Sequence, residues 1–182
     1  MKPFSYIGVT DIDEALSLLA LHGDDAHLMA GGTALILLLE QGLLEPSVIV
    51  GIAGLSGLDR IERNGDVIEI GALNTLRRVE RDPVVLAHAP AVAATVAQVA
   101  TIRVRNQATI GGNLVHADPA QDPPPILLVH DADVVLRGPS GRRTVPLADF
   151  FVDVFETDIR PDEILTTVRI PIPSPRSRFV YT

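Results

Sequence analysis

Apolar positions near the start of the chain follow a helical spacing. Between Ile12 and Leu19 they recur every three or four residues, which places them on one face of a helix. Thr10 and Asp13 resemble the capping pair that begins such a helix, and Gly23 is the residue type that ends one. The pattern therefore predicts an amphipathic helix that stops before Gly23.

The segment that follows predicts a βαβ unit. Residues 26–29 form a short apolar strand, residues 34–41 a helix that ends at Gly42, and residues 47–52 a β-branched strand. In such a unit the turn before the helix lies at the carboxyl edge of the sheet. We therefore expect a small parallel lobe over residues 1–54.

From residue 55 onward the pattern changes to hairpins. Residues 59–63 and 67–71 flank Asn64-Gly65, a dipeptide that favours a type I′ turn, so an antiparallel sheet begins here. The later segments predicted as strands are residues 133–137, 144–147 and 164–172. The segments predicted as helices are residues 76–81, capped by Thr75, and the alanine-rich residues 90–100.

These elements indicate an α+β protein with an α/β N-terminal lobe. The larger lobe, with a mainly antiparallel sheet and helices, is predicted over residues 55–172. Residues 173–178 consist of proline, serine and arginine, and residues 173–182 are predicted to be an exit linker to a further lobe that the sequence lacks.

The composition excludes several classes of function. With 182 residues, of which 47% are hydrophobic, the chain can bury a core. Its net charge of −8 repels the phosphates of nucleic acids and anionic membrane surfaces. The absence of cysteine excludes disulfides, an iron–sulfur cluster held by this chain alone and a thiol nucleophile.

Nothing in the sequence indicates secretion, a membrane span or a metal site. The first nine residues lack a basic segment followed by an apolar one, and the longest aliphatic run, Leu35–Leu39, is too short to cross a bilayer. The histidines have no ligand spacing and the serines form no nucleophile elbow, although His116 lies near enough to the second glycine pair described below to contact a cofactor. We expect a cytoplasmic protein with no catalytic or metal-binding residue of its own.

Two glycine pairs carry the clearest chemical signal. The first is Ala30-Gly31-Gly32-Thr33-Ala34, between a predicted strand and helix, and the second is Thr109-Ile110-Gly111-Gly112-Asn113. Because glycine has no Cβ, backbone N–H groups at such bends can approach a bulky anion such as a dinucleotide pyrophosphate. Thr33, Thr109 and Asn113 add side-chain donors. The two segments could therefore serve one pocket.

Each glycine pair also has a simpler explanation as a tight turn. The spacing matches neither the three glycines of a Rossmann motif nor the P-loop, which requires a lysine. Asp122, which follows the second pair, is by itself better explained as the cap of a helix that Pro123 begins.

Taken together, the segments AGGTAL and RNQATIGGN and the later DEIL at residues 162–165 resemble the FAD-binding medium subunit of the molybdenum hydroxylases, the family of carbon monoxide dehydrogenase and xanthine dehydrogenase. The resemblance runs from Phe4 to about Tyr181. It implies an FAD-binding fold of the PCMH type and FAD as the cofactor.

The resemblance also implies which residues bind the cofactor. Residues Ala30 to Leu35 and Thr109 to Asn113 would surround the FAD pyrophosphate and ribityl chain, Asp122 would make a polar contact to the flavin nucleotide, and Leu165 and Tyr181 would lie near the ring system. In the family the chain continues past this tyrosine into a C-terminal lobe. We also expect a bulky residue at Gly32 or Gly111 to expel FAD while leaving the fold largely intact.

In this family, an iron–sulfur small subunit passes electrons to FAD, which discharges them to NAD, a quinone or oxygen. A molybdopterin-binding large subunit oxidises the substrate. The resemblance therefore implies an electron-transfer flavoprotein subunit of an oxidoreductase complex. A non-catalytic scaffold subunit that has lost its flavin with the C-terminal lobe remains the alternative.

Overall fold

The chain is represented by a computed structural model. The structure describes residues 2–174 and 176–179.

The N-terminal part is a three-stranded parallel sheet with two helices. In chain order its elements are β1 (Ser5–Gly8), α1 (Ile12–His22), β2 (Ala26–Met29), α2 (Leu35–Glu40) and β3 (Val48–Gly51). The strand order is β1-β3-β2, and both neighbouring pairs are parallel. The predicted βαβ unit is therefore confirmed as β2-α2-β3. Strand β1 was not predicted.

The N-cap of helix α1 lies one residue after the predicted cap, Thr10. The N-cap is Asp11, whose carboxylate accepts hydrogen bonds from the N–H groups of Asp13 at 2.7 Å and Glu14 at 3.2 Å. The predicted cap at Thr10 is wrong because aspartate in the next position offers the stronger, charged acceptor. The stop at Gly23 is confirmed, with a φ of 53°.

The rest of the chain forms a larger antiparallel sheet surrounded by short helices. Its strands are β4 (Ile61–Asn64), β5 (Val67–Gly71), β6 (Asp133–Gly138), β7 (Gly141–Pro146), β8 (Phe151–Asp153), β9 (Glu156–Thr157) and β10 (Ile164–Pro171). Five of them pair in the order β4-β5-β10-β6-β7, and β8 and β9 form a separate hairpin. Each predicted strand of this region has its counterpart in the five-stranded sheet.

The helices of this region are short. They are α3 (Leu76–Val79), α4 (Pro83–His88), α5 (Pro90–Val96), α6 (Ile102–Arg105), α7 (Ile110–His116), α8 (Pro123–Val129) and α9 (Leu147–Phe150). The predicted helices correspond to α3, which Thr75 caps through the N–H of Arg78, and to α5. No helix in the described part of the chain is long and apolar enough to span a bilayer.

The turn between β4 and β5 is shifted by one residue from the prediction. Asn64 pairs with Val67, so the turn consists of Gly65 and Asp66 rather than Asn64 and Gly65. Only Gly65 has a positive φ, of 62°, whereas a type I′ turn needs one at both central residues. The hairpin itself is confirmed.

Two hydrophobic clusters fill the molecule. The smaller joins α1 to the parallel sheet and includes Leu55 and Ile164 from the second region, so the sheets share an apolar contact. The larger packs α3, α5, α7 and α8 on the antiparallel sheet around residues such as Ile70, Leu114 and Val134, each 0% exposed. The boundary proposed at residues 54 and 55 stays a prediction.

Candidate functional site: a cleft between the two glycine segments

A cleft of about 610 Å³ opens where the carboxyl edge of the parallel sheet faces the second region of the chain. One side is the end of β2 and the segment after it, residues 27–35, with Leu38, Leu43 and Leu44 beyond. The other side is built from Ala72 and Leu73, from Leu165, and from most of residues 108–116, with Ile110 and Leu114 excepted. Most of the lining is apolar, with a few polar groups among it, as is typical of a cofactor site.

Most of the residues predicted from the sequence lie in this cleft. Those that line it are Ala30, Gly31, Gly32, Thr33, Ala34, Leu35, Thr109, Gly111, Gly112, Asn113 and Leu165. Ile110 does not, because its side chain is 0% exposed in the larger core. Asp122 is the N-cap residue of α8, although its side chain accepts no capping hydrogen bond from the helix, and its neighbour Gln121 lines the cleft instead. Tyr181 lies outside the described residues. The contact of each residue with FAD stays a prediction.

The two glycine segments touch through their backbones. A Cβ added to Gly31 would overlap the carbonyl oxygen of Gln107 and lie 2.6 Å from its carbonyl carbon. Gln107 lies two residues before the start of the second glycine segment. Gly31 is therefore required for the close approach of the segments, in addition to any role in ligand binding.

The first glycine segment has unpaired backbone donors. Among the described residues, the N–H groups from Gly31 to Leu35 have no hydrogen-bond acceptor. The first N–H group after them that is hydrogen-bonded is that of Ile36, which donates to Gly32 O at 3.0 Å. Gly32 has a φ of 73°, which turns the chain in a way that favours glycine. Helix α2 has only six residues, so the free N–H groups matter more than its dipole. Such donors suit a phosphate anion.

The second glycine segment differs from the expected bend, because it is the first turn of helix α7. The N–H groups from Ile110 to Asn113 are occupied: Ile110 donates to Asn74 O, Gly111 to Ala72 O, Gly112 to the Thr109 hydroxyl and Asn113 to Thr109 O. The expectation that both segments direct main-chain amides at a diphosphate is therefore wrong for these four groups. It offers its exposed glycine surface at Gly112 and the side chain of Asn113 instead.

Gly111 is a packing residue. A Cβ at this position would lie 2.6 Å from the Cβ of Ala72 and 2.9 Å from its carbonyl oxygen. The expectation that a bulky residue here spares the fold is therefore wrong, because α7 could no longer approach the end of β5.

A buried ion pair holds the segment that leads to α7. Arg105 Nε lies 2.7 Å from Glu80 Oε2, and the two side chains are only 12% and 5% exposed. Arg105 also donates to Val99 O at 2.7 Å, across a bend where Ala100 has a φ of 44°. These contacts anchor α6 against α3 and so fix the position of the Gln107 carbonyl next to Gly31.

Three buried polar atoms of the cleft lack partners among the described residues: His27 Nδ1, Asn113 Oδ1 and Gln121 Oε1. Buried polar groups are normally hydrogen-bonded, so these atoms indicate a ligand that supplies complementary groups. Burial lowers the pKa of His27, against a smaller opposing effect of Asp24, so the imidazole is neutral at pH 7. His27 and Gln121 were not predicted; their only sequence signal is adjacency to the first glycine pair and to Asp122.

One wall of the cleft is held by the carboxylate of Glu163, which directly precedes the lining residues Ile164 and Leu165. Glu163 accepts hydrogen bonds from Arg143 Nε and Nη2, both at 2.7 Å, and from the Arg160 N–H at 2.9 Å. Its side chain is 6% exposed. The hydrogen bonds from Arg143 are the main cause that lowers the pKa of Glu163, since they favour its charged form over the opposing effect of burial.

We expect Glu163→Gln to reduce the free energy of unfolding by about 2 kcal/mol near neutral pH, because the substitution removes charged hydrogen bonds to Arg143. Since the folded pKa is lowered, the stabilisation is complete above the unfolded pKa of about 4.3 and disappears as the pH falls through the folded value. Urea unfolding of both proteins between pH 3 and 7 measures this, with Asp162→Asn as control. Equal losses in Glu163→Gln and the control would contradict it.

Comparisons with known proteins match this chain to one family. Residues 2–173 match the family described as FAD binding domain in molybdopterin dehydrogenase. The 6-hydroxypseudooxynicotine dehydrogenase complex subunit alpha of Paenarthrobacter nicotinovorans is 36% identical over 94% of this chain and 58% of its own. The carbon monoxide dehydrogenase medium chain of Hydrogenophaga pseudoflava is 33% identical over 92% of this chain and 58% of its own.

Solved structures agree with the fold. Quinoline 2-oxidoreductase from Pseudomonas putida 86 superposes with a TM-score of 0.92 at 34% identity, over 96% of this chain and 61% of the matched one. Carbon monoxide dehydrogenase from Hydrogenophaga pseudoflava gives 0.93 at 33% identity, over 96% and 62%. The chain thus spans about three fifths of the length of these relatives. The predicted family and the PCMH-type fold are confirmed, and the chain belongs to the FAD-binding domains of the molybdopterin dehydrogenases, with FAD as its cofactor.

Proposed function

We propose that this chain is the FAD-binding part of the medium subunit of a molybdenum hydroxylase complex. In this role it receives electrons from an iron–sulfur small subunit and passes them to an external acceptor, while a molybdopterin-binding large subunit oxidises the substrate. Bound FAD supplies the ability to take up electrons singly and release them in pairs. The chain's own residues bind the cofactor, orient it and exclude water.

The observation that carries this proposal is the row of N–H groups from Gly31 to Leu35, at the edge of the cleft, that have no acceptor among the described residues. With a net charge of −8, the long-range field of the protein repels a dinucleotide. Local donors must therefore bind the pyrophosphate, and unpaired backbone N–H groups do so without adding a charge. Gly112 lines the opposite side of the cleft, where an added Cβ would lie 2.9 Å from the Thr109 hydroxyl oxygen.

Polar atoms deeper in the cleft complete the fit to a dinucleotide. His27, Asn113 and Gln121 each present a buried atom without a partner in the described part of the chain, and the hydroxyl and ring nitrogen groups of FAD can pair with them. The apolar residues Leu38, Leu44 and Leu165 would cover ring surface and keep water out.

FAD reconstitution tests the proposal. The full chain is incubated with excess FAD and passed through a gel-filtration column, and the absorbance of the protein peak is recorded. We expect about one FAD per chain, and bleaching of the flavin band when dithionite is added. Reoxidation by NAD, a quinone or oxygen identifies the class of acceptor. Copurification with an iron–sulfur protein and a molybdopterin protein tests the partners.

A folded chain that stays colourless and shows no heat of binding when titrated with FAD would contradict the electron-transfer role. It would favour the scaffold alternative, in which the chain only supports assembly of the complex. Circular dichroism on the same sample distinguishes a folded, empty chain from an unfolded one.

A further inference from the structure

The hairpin of β8 and β9 places an aromatic residue at the cleft. Phe155 lies at the tip of this hairpin, between Asp153 and Glu156, and is one of the residues that line the cleft. Its side chain is 57% exposed, so the protein core does not account for it. An aromatic ring that is open to solvent inside a binding cleft has apolar surface available for a ligand.

The backbone holds Phe155 in a conformation that a non-glycine residue rarely adopts. Its φ is 59°, and its N–H donates a hydrogen bond of 3.0 Å to the carbonyl oxygen of Ala117, which itself has a φ of 49°. A positive φ is energetically unfavourable for alanine and for an aromatic residue. Such a conformation persists only where the surrounding structure enforces it. The strained pair directs the hairpin tip onto the end of α7.

Phe155 has an aromatic neighbour on that helix. Its ring centroid lies 5.3 Å from that of His116, with the planes tilted by 47°, and His116 also lines the cleft. Gln121 lies in the segment between α7 and α8, and its Oε1 is buried without a hydrogen-bond partner among the described residues. Aromatic surface and an unpaired polar atom therefore occur together, which is the combination that a planar ring with polar edges requires.

We propose that Phe155 and His116 form an aromatic platform on which one of the two ring systems of FAD stacks, with Phe155 in direct contact with that ring. The proposal relies on FAD as the cofactor of the chain and assigns this hairpin a part in binding it. Aromatic side chains stack on planar heterocycles because both have a polarisable face. This contact is separate from those that the two glycine segments would make. Adenine and isoalloxazine share this chemistry.

Two variants at Phe155 distinguish the contribution of the aromatic ring from that of the left-handed backbone. Phe155→Leu keeps an apolar side chain but removes the ring, whereas Phe155→Gly removes the side chain and suits the left-handed backbone. Val154 is a matched control, because it lies in the same hairpin, is 58% exposed and does not line the cleft. Affinities of the full chain for FAD, ADP and FMN are measured by calorimetry, and unfolding temperatures by scanning fluorimetry without cofactor.

We expect Phe155→Leu and Phe155→Gly to weaken FAD binding about tenfold, the effect of one lost stacking contact, and Val154→Ala to change it by less than about twofold. The unfolding temperature of Phe155→Gly should not fall, since glycine relieves the backbone strain. A matching loss for ADP assigns the platform to adenine, and a matching loss for FMN assigns it to isoalloxazine. If both Phe155 variants bind FAD as the wild type does, the proposal is overturned.

Discussion

Gly31→Ala is expected to separate the two glycine segments, to abolish detectable FAD binding and to lower the free energy of unfolding by about 3 kcal/mol. The added methyl group would overlap the carbonyl oxygen of Gln107. That carbonyl cannot move aside easily, because the Ala108 N–H donates to Val104 O at 2.7 Å and the Leu76 N–H donates to Ala108 O at 2.8 Å. The first segment must therefore move, and it carries the free N–H donors of the site.

Urea unfolding and calorimetric titration with FAD measure both parts of this prediction. Gly8→Ala is the matched control: it lies in β1 of the same lobe, and an added Cβ would meet only Tyr6, at an ordinary 3.6 Å. We expect the control to remain within about 0.5 kcal/mol of the wild type and to bind FAD normally. Wild-type stability and affinity in Gly31→Ala would show that the two backbones do not touch as described.

The second large effect is a contrast between the neighbouring glycines of α7. We expect Gly111→Ala to destabilise the fold by about 3 kcal/mol, because its Cβ would lie 2.6 Å from the Cβ of Ala72, where helix and sheet meet. We expect Gly112→Ala to leave stability within about 1 kcal/mol of the wild type, since a gain in helix propensity offsets crowding of the Thr109 cap at 2.9 Å.

We expect the order of the two variants to be reversed for cofactor affinity: Gly112→Ala should weaken FAD binding by the folded protein more than Gly111→Ala does. Gly112 is exposed and lines the cleft, so its methyl group would take space from FAD while the protein stays folded. Gly111→Ala should lose FAD only in proportion to the fraction that unfolds, which scanning calorimetry with and without FAD can measure. Equal stability losses in the two variants would contradict the division of the pair into a packing residue and a site residue.

Much of the fold could be predicted because its signals are local. The strand at residues 26–29, the glycine turn and the following helix appear in the sequence as a continuous pattern, and β2-α2-β3 follows it. The errors are local as well. Asp11 replaced Thr10 as a cap, and the β4-β5 turn moved by one residue, because neighbouring residues compete for the same role.

The candidate site was only partly predictable. The cleft collects most of the residues of the two glycine segments, together with Leu165. Phe155 could not be found, because its place in the cleft depends on a hairpin of three and two residues and on the carbonyl of Ala117. Such short strands leave no periodic pattern in the sequence.

The sequence by itself determined the family, the cofactor class and the order of the principal elements, since these depend on residue types at short, characteristic spacings. Tertiary structure alone decided which glycines pack against other backbone and which stay exposed in the cleft. Gly31 and Gly111 meet backbone atoms of Gln107 and Ala72, and the N–H groups of α7 find acceptors at Asn74 and Ala72. Those partners are remote in sequence, so whether a backbone donor stays free for a ligand is settled only when the chain folds.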